Sequence, residues 1–208
     1  MFHYNELLIL NSPKHSQALF AALALSAYAL SASADGRVVI NSTNFPDANL
    51  REYVAEGDRD NNGVLEDDEY YDLKYIVCKN VTNFKGLELL PLESLSINYD
   101  DDSPLANEVK TLTLPSFPNL RELFVFNAFG LETLDISANA NLTFLRTGQL
   151  PALRDIKWSS ALEAIDLQDM GSLSTINGSE LPNLMRLEVS SHDVQASVEN
   201  FNFTATRR

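Results

Sequence analysis

Apolar residues recur along the second half of the chain at a nearly constant interval. Successive members of the series are separated by 11, 11, 11, 11, 9, 11 and 11 residues, and most are preceded three residues earlier by another apolar residue. A fixed period of this kind predicts a solenoid, because a single coil cannot bury its apolar face and neighbouring coils must stack. The series consists of Leu112, Leu123, Leu134, Leu145, Ile156, Ile165, Ile176 and Leu187.

Two intervals make one coil of about 20 to 22 residues, which is within the range of leucine-rich repeats. The leucines are expected to point inward, and the residues between them are expected to face solvent. This solvent-facing set comprises Phe124, Asp135, Arg146, Lys157, Asp166 and Glu188. A mixed surface of this kind suits recognition of a protein or a glycan.

A twelve-residue acidic segment ahead of the repeats carries the one specific chemical motif. Residues 58–69 fit the pattern D-x-[DN]-x-[DN]-G-x₅-E of an EF-hand calcium loop. Calcium takes about six to eight oxygen ligands, so such a loop presents carboxylates and amides at alternate positions around the ion. The expected Ca²⁺ ligands are the side chains of Asp58, Asp60 and Asn62, the backbone carbonyl of Val64, Glu66 through a water, and both carboxylate oxygens of Glu69.

The surroundings of the loop predict a helix on each side of it. Gly63 supplies the sharp turn, and Leu65 anchors the loop in the core. The apolar stripes are Leu50, Tyr53 and Val54 before the loop, and Tyr70, Leu73 and Ile76 after it. An acidic surface turn that binds nothing is the alternative interpretation. EF-hands usually work in pairs and the sequence contains no second such loop, so a lone site favours a structural role over a sensor.

Residues 44–54 lead into this loop, and recurring Leu-x-x-Leu segments follow it. Together these features resemble secreted bacterial leucine-rich-repeat proteins that carry an EF-hand-like N-terminal cap. The resemblance covers roughly residues 38–189, with a specific loop motif and degenerate repeats. Such proteins are mostly surface or secreted binding proteins, so the resemblance implies a class of role and no particular ligand.

The predicted fold class is α/β, with a short helical EF-hand-like cap followed by a leucine-rich-repeat solenoid. The solenoid is expected to contain parallel strands with irregular or helical connections. We place a signal peptide at residues 1–34, the cap at residues 35–83, the solenoid at residues 84–199 and a tail at residues 200–208.

The signal peptide is predicted from an apolar run at residues 18–30 that is too short to span a bilayer as a mature anchor. Ala32, Ser33 and Ala34 supply the small residues that a signal peptidase requires, so cleavage is expected after Ala34. An uncleaved interfacial helix is the alternative. The mature chain is therefore expected to be secreted, extracellular or periplasmic, without a membrane anchor.

Charge and composition argue against several classes of function. A net charge of −14 argues against nucleic acid or anionic membrane as a partner, because phosphate binding depends on clustered Lys and Arg. The single cysteine, Cys78, is expected to fill a buried apolar position. One histidine, His192, remains after the signal peptide, and no G-x-S-x-G turn, phosphate loop or zinc-ligand spacing occurs. The chain is therefore not expected to be an enzyme.

Two further features leave alternatives open, and a third has one expected role. The acidic insertion at residues 98–104 contains Asp100, Asp101 and Asp102 and could bind a second calcium. A solvated loop is favoured, because consecutive aspartates point in different directions.

Phe126, Phe129 and Trp158 could be exposed anchors, although positions in the core or its turns are favoured. Asn127 and Asn139 are expected to cap turns in an asparagine ladder.

The sequence thus predicts a secreted calcium-binding leucine-rich-repeat protein. Calcium would stabilise the cap, and the repeats would form a protein or glycan interaction surface. A calcium sensor or buffer is one alternative. A non-catalytic accessory module of a surface polysaccharide or adhesion system is another.

Overall fold

The computed structural model describes residues 37–190 and the backbone of residues 197–199. The predicted signal peptide, the tail at residues 200–208 and His192 lie outside these residues. Among the residues described, no helix has the length and apolarity that a membrane span requires.

The N-terminal part combines two short strands with two helices. These elements are β1 (Val38–Val39), α1 (Ala48–Ala55), β2 (Val64–Leu65) and α2 (Asp67–Tyr70). Helix α1 begins after Asp47, whose extended backbone and side-chain oxygen, 3.1 Å from the Leu50 amide, form an N-cap. Leu50 and Val54 are buried, so the predicted apolar stripe of this helix is confirmed.

The helix expected after the acidic loop is much shorter than predicted. Helix α2 has four residues and ends at Tyr70, and Ile76 lies instead in strand β3 (Tyr75–Lys79). Residues of β3 alternate between exposed and buried, and Ile76 pairs with Leu95 of the next strand. Parallel pairing with that strand, which buries Ile76 and Cys78, outweighs the weak helical pattern in this segment.

From β4 onward, five-residue strands on one side of the solenoid alternate with three-residue strands on the other. The long strands are β3, β4 (Ser94–Asn98), β6 (Glu122–Phe126), β8 (Phe144–Gly148), β10 (Ala164–Gln168) and β12 (Arg186–Ser190). The short strands are β5 (Thr111–Thr113), β7 (Thr133–Asp135), β9 (Asp155–Lys157), β11 (Thr175–Asn177) and β13 (Ser197–Glu199). A four-residue helix, α3 (Leu105–Glu108), directly follows the acidic insertion, and 3-10 turns occupy Leu87–Leu89 and Gly178–Glu180.

All pairings in the repeat region are parallel. The long strands form one six-stranded sheet in the order β12-β10-β8-β6-β4-β3, and the short strands form the sheets β5-β7-β9 and β11-β13. Leu123 pairs with Leu145 on the long-strand side, and Leu112 pairs with Leu134 on the short-strand side. Alternate members of the eleven-residue series therefore lie on opposite sides of one core, which confirms the predicted parallel-strand solenoid.

Left-handed residues follow four of the long strands. Asn80, Asn127, Gln149 and Asp169 have φ values between 52° and 59° and come directly after β3, β6, β8 and β10. The Asn127 amide donates to the Gly148 carbonyl of the next coil at 3.1 Å. This recurrent conformation turns the chain out of the long sheet. At Asn127 the backbone makes the turn, and the side-chain capping predicted for this residue stays a prediction.

Asn139 supports a turn through its side chain. Its Oδ1 accepts a hydrogen bond of 2.9 Å from the Phe117 amide, one coil earlier, and its side chain is fully buried. This hydrogen bond agrees with the turn-capping role predicted for Asn139, whereas its buried Nδ2 has no hydrogen-bond partner among the described residues.

Cys78 occupies a buried place in β3. Its thiol lies 3.5 Å from the Ser96 carbonyl, and burial raises its pKa to about 12. A thiol in this state is a poor nucleophile at neutral pH. Because its side chain is fully buried, Cys78 fills the core as predicted.

Two left-handed positions give a contrasting pair of stability predictions. Gly86 has φ +106°, and a Cβ there would lie 2.4 Å from the Asn44 carbonyl oxygen and from the Phe45 ring. Gly86→Ala should therefore reduce the free energy of unfolding by about 2–4 kcal/mol, through strain and overpacking together. Urea denaturation would measure the change.

The matched control is Gln149→Gly. Its exposed side chain sits on a backbone with φ +58°, so glycine relieves left-handed strain while adding unfolded-chain entropy. The free energy of unfolding should stay constant or rise by up to about 1 kcal/mol. Comparable losses in both variants would mean that the turns do not constrain the solenoid in the way described.

Candidate metal centre and interaction surface

Three carboxylates of the acidic loop converge on one point. One oxygen each of Asp58, Asp60 and Glu69 lies within 4.8 Å of the other two. Asp58 and Glu69 are only 7% and 5% exposed, whereas Asp60 is exposed. Among the residues described, this is the one group of three or more acidic, histidine or cysteine side chains in such an arrangement.

Backbone amides of the loop fix the two buried carboxylates. Asp58 accepts hydrogen bonds from the Asn62 and Gly63 amides at 3.1 and 2.8 Å. Glu69 accepts from the Arg59 amide at 2.8 Å and from the Glu66 amide at 3.2 Å. The loop can curl tightly enough because Asn61 and Gly63 have φ values of 57° and 81°. The chain thus preorganises these oxygens on its own.

The three carboxylates lack a basic partner within the described part of the chain. No ion pair involves any of them, and the Arg59 guanidinium instead contacts Asp68 at 3.0 Å and Asp72 at 3.6 Å. Burying like charges without a counter-charge is costly, and a bound cation removes that cost. Carboxylate oxygens are the donors that hard divalent cations prefer.

The other predicted ligands lie around this group in different situations. Asn62 is exposed; its Oδ1 accepts from the Val64 amide at 2.8 Å, and its Nδ2 donates to Asp60 at 2.9 Å. Val64 belongs to β2 and pairs with Val39 of β1. The structure therefore brings three of the six predicted ligands together, with Asn62 bonded to one of them.

Glu66 is held by a residue that sequence reasoning did not identify. Its carboxylate is 3.7 Å from the Arg37 guanidinium, because pairing of β1 with β2 places Arg37 beside the loop. In the sequence, the signal for this contact is a short run at residues 37–40 that is rich in β-branched residues. The same pairing buries Val38 and Leu65. Strand β1 therefore lies along β2, the strand formed by the acidic loop.

The second acidic segment does not form a comparable group. Asp100 accepts hydrogen bonds of 2.8 Å from both Lys79 Nζ and Asn80 Nδ2, and the Lys79 hydrogen bond is the main cause of the lowered pKa of Asp100. Asp101 and Asp102 are exposed. This arrangement agrees with the favoured prediction of a solvated loop.

Aromatic side chains form the centre of the outward face of the six-stranded sheet. The rings of Phe124 and Phe144 meet edge to face with centroids 5.6 Å apart. Phe126 lies over Gly148, where a Cβ would come within 2.9 Å of its ring. We call Phe124, Phe126 and Phe144 the aromatic cluster.

The predictions for aromatic residues were partly wrong. Phe126 was expected in the core or a turn, but the inward positions of β6 belong to Leu123 and Val125, so Phe126 faces outward. Gly148 leaves the room that its half-buried ring occupies. Phe129 and Trp158 pack against the core, as predicted.

An ion pair with a buried carboxylate lies beside the aromatic cluster. Asp166 was expected to face solvent, but its side chain is 5% exposed because Arg146 covers it. The Arg146 Nε and Nη2 atoms are each 2.7 Å from Asp166 Oδ2, and Gln168 Nε2 is 3.2 Å away. Arg146 and Asp166 are register neighbours on β8 and β10, so the sheet itself brings them together.

Comparisons with known proteins add a distant likeness. No protein-family model matches the chain, and no curated protein matches it in sequence. A solved structure that is similar is an internalin (inlF) of Listeria monocytogenes str. 4b F2365, with 17% identity and a TM-score of 0.30. The match covers 83% of this chain and 75% of that chain. The fold and the site described above rest on the geometry of this chain alone.

The ion pairs on the outward face allow a stability prediction. Arg146→Gln leaves the Asp166 carboxylate buried without its cation, and should lower the free energy of unfolding by about 1–3 kcal/mol. Lys79→Gln is the control, because both side chains of the Lys79–Asp100 pair, with an N to O distance of 2.8 Å, are solvent-exposed. It should leave chemical denaturation unchanged. An equal effect of the two substitutions would contradict the claim that Arg146 compensates a buried Asp166 carboxylate.

Proposed function

We propose that this chain is a calcium-binding protein with a leucine-rich solenoid, in which the ion stabilises the N-terminal cap and the outward sheet face recognises a protein or glycan. The observation that carries the calcium proposal is the convergence of Asp58, Asp60 and Glu69 within 4.8 Å. Two of these carboxylates are buried, and none has an ion pair among the described residues.

The chemistry of the donors favours calcium over softer metals. All the candidate side-chain ligands are carboxylates or amides, and no histidine or cysteine belongs to the group. Asn62 and the Val64 carbonyl would add oxygens from the same loop, and Glu66 would contribute through a water. The Arg37 contact with Glu66 is consistent with an outer position for that carboxylate.

A structural role fits the site better than a sensing role. Leu65 anchors the loop in the core, and β1 pairs with the loop strand. An ion at this place would hold the end of α1 against β2 and α2. The sequence contains no second loop of this kind through which a conformational change could be transmitted. Binding would stabilise the folded state by about 1.4 kcal/mol when calcium is at ten times its Kd.

Export would place the chain in surroundings that contain enough calcium to fill the site. Extracellular calcium modules have dissociation constants of about 10⁻⁴ to 10⁻³ M, which a calcium-rich exterior fills permanently. We therefore propose that residues 1–34 act as a signal peptide and that the mature chain is secreted.

The recognition surface is proposed to be the outward sheet face with the aromatic cluster. Rigid aromatic side chains contribute strongly to contact energy, and the three phenylalanines are half-buried on a regular sheet. The Arg146–Asp166 pair fixes the neighbouring surface. A net charge of −14 favours protein or glycan partners over nucleic acid.

The calcium proposal is tested by paired substitutions in the two acidic segments. Glu69→Gln removes one charged ligand while keeping the shape of the side chain, and should lower calcium affinity at least about tenfold. Asp58→Ala should have a similar effect. Isothermal titration calorimetry on calcium-stripped protein would measure both.

Asp101→Ala is the control, since Asp101 is an exposed acid outside the loop. It should bind calcium like the unchanged protein. An equal loss of affinity in Asp101→Ala would place the site elsewhere, and an absence of binding at millimolar calcium would reduce the loop to an acidic turn.

A further inference from the structure

A half-open pocket of about 240 Å³ lies at the N-terminal edge of the six-stranded sheet. It forms where the end of α1, the start of the acidic loop and the edge strand β3 meet. The side chains that matter for its chemistry are Tyr53, Glu56, Arg59, Asp72, Tyr75 and Val77. We call it the edge pocket.

The size of the edge pocket suits one amino-acid side chain. Sites for drug-sized ligands and cofactors usually have volumes of about 300–1,000 Å³, so this pocket is small for a complete small-molecule substrate. It opens onto the outward side of the sheet at Val77, which is 63% exposed. A side chain that projects from a partner surface can therefore enter it.

The charges around the pocket favour a cation. Arg59 is already paired with Asp68 at 3.0 Å and with Asp72 at 3.6 Å, so its positive charge is compensated. Glu56 has no hydrogen-bonding or ionic partner for its carboxylate within residues 37–190. One negative charge in the wall thus lacks a counter-charge, and an anionic ligand would have to displace the partners of Arg59.

The apolar part of the wall supports the same ligand. Tyr53 is half-buried and packs against the core, and Tyr75 is 67% exposed at the rim. Tyrosine rings attract cations through their quadrupole, and their edges and faces accommodate aliphatic carbon. A lysine or arginine side chain combines an aliphatic stem with a cationic end, which matches this combination of tyrosines, valine and carboxylate.

We propose that the edge pocket binds a lysine or arginine side chain presented by a partner protein. This site goes beyond the proposed calcium centre and the aromatic cluster, because Glu56 belongs to neither and β4 separates β3 from β6 in the sheet. The net charge of −14 would favour a basic partner surface around the inserted side chain.

The direct test uses two probes of nearly equal shape and different charge. Nα-acetyl-arginine amide and its neutral citrulline analogue are titrated into the ¹⁵N-labelled full chain, and amide chemical shifts are followed by NMR. The arginine probe should produce saturable shifts at Glu56, Gly57 and Val77. The citrulline probe should bind at least fivefold more weakly.

Substitutions separate a specific site from general attraction to an acidic protein. Glu56→Gln should weaken the arginine probe at least fivefold, and Tyr75→Ser should weaken it as well. Glu163→Gln removes the same charge from an exposed position away from the pocket and should leave binding unchanged. Equal binding of the two probes, no effect of Glu56→Gln, or the same loss in Glu163→Gln would each overturn the proposal.

Discussion

The stacking of inward apolar residues is the constraint on which the rest of this structure depends. Each coil buries its leucines against the coils before and after it, so the first coil needs a cover of another kind. Helix α1 provides that cover by packing against β3. Asp47 fixes the helix to the first coil as well as capping it, because its Oδ2 accepts from the Thr82 and Asn83 amides at 3.0 and 3.2 Å.

The acidic loop is a direct extension of this cover. It begins two residues after the C-cap of α1, at Asp58, and returns through Leu65, which is fully buried in the same continuous core. The two buried carboxylates, Asp58 and Glu69, lie at opposite ends of the loop. A cation between them would join the two ends, so calcium binding would act on the stability of the cap and through it on the end of the solenoid.

The period of the sequence determined which residues face inward, but it could not determine how outward residues are buried. Asp166 and Phe126 both occupy outward positions, yet Arg146 covers the first and the absence of a side chain at Gly148 makes room for the second. These outcomes depend on the neighbour across the sheet, which comes from register between strands distant in sequence. Ile76 illustrates the same limit, because its pairing with Leu95 decides between helix and strand.

The calcium-loop motif likewise identified some residues of the site but not their tertiary contacts. Its pattern identified Asp58, Asp60 and Glu69 in advance, since their spacing is a property of the loop alone. The pairing of β1 with β2 and the contact of Arg37 with Glu66 depend on a segment more than twenty residues earlier. Such contacts follow from tertiary structure, and the short β-prone run at that segment gave only a weak indication of them.

Amide hydrogen exchange with and without calcium tests the central claim most directly. If the ion stabilises the cap, saturating calcium should slow exchange most strongly at residues 47–79, which contain α1, the loop and β3, and less at the distant strands β8 and β10. Unchanged exchange at residues 47–79 in saturating calcium would contradict the claim that the metal centre stabilises this end of the solenoid.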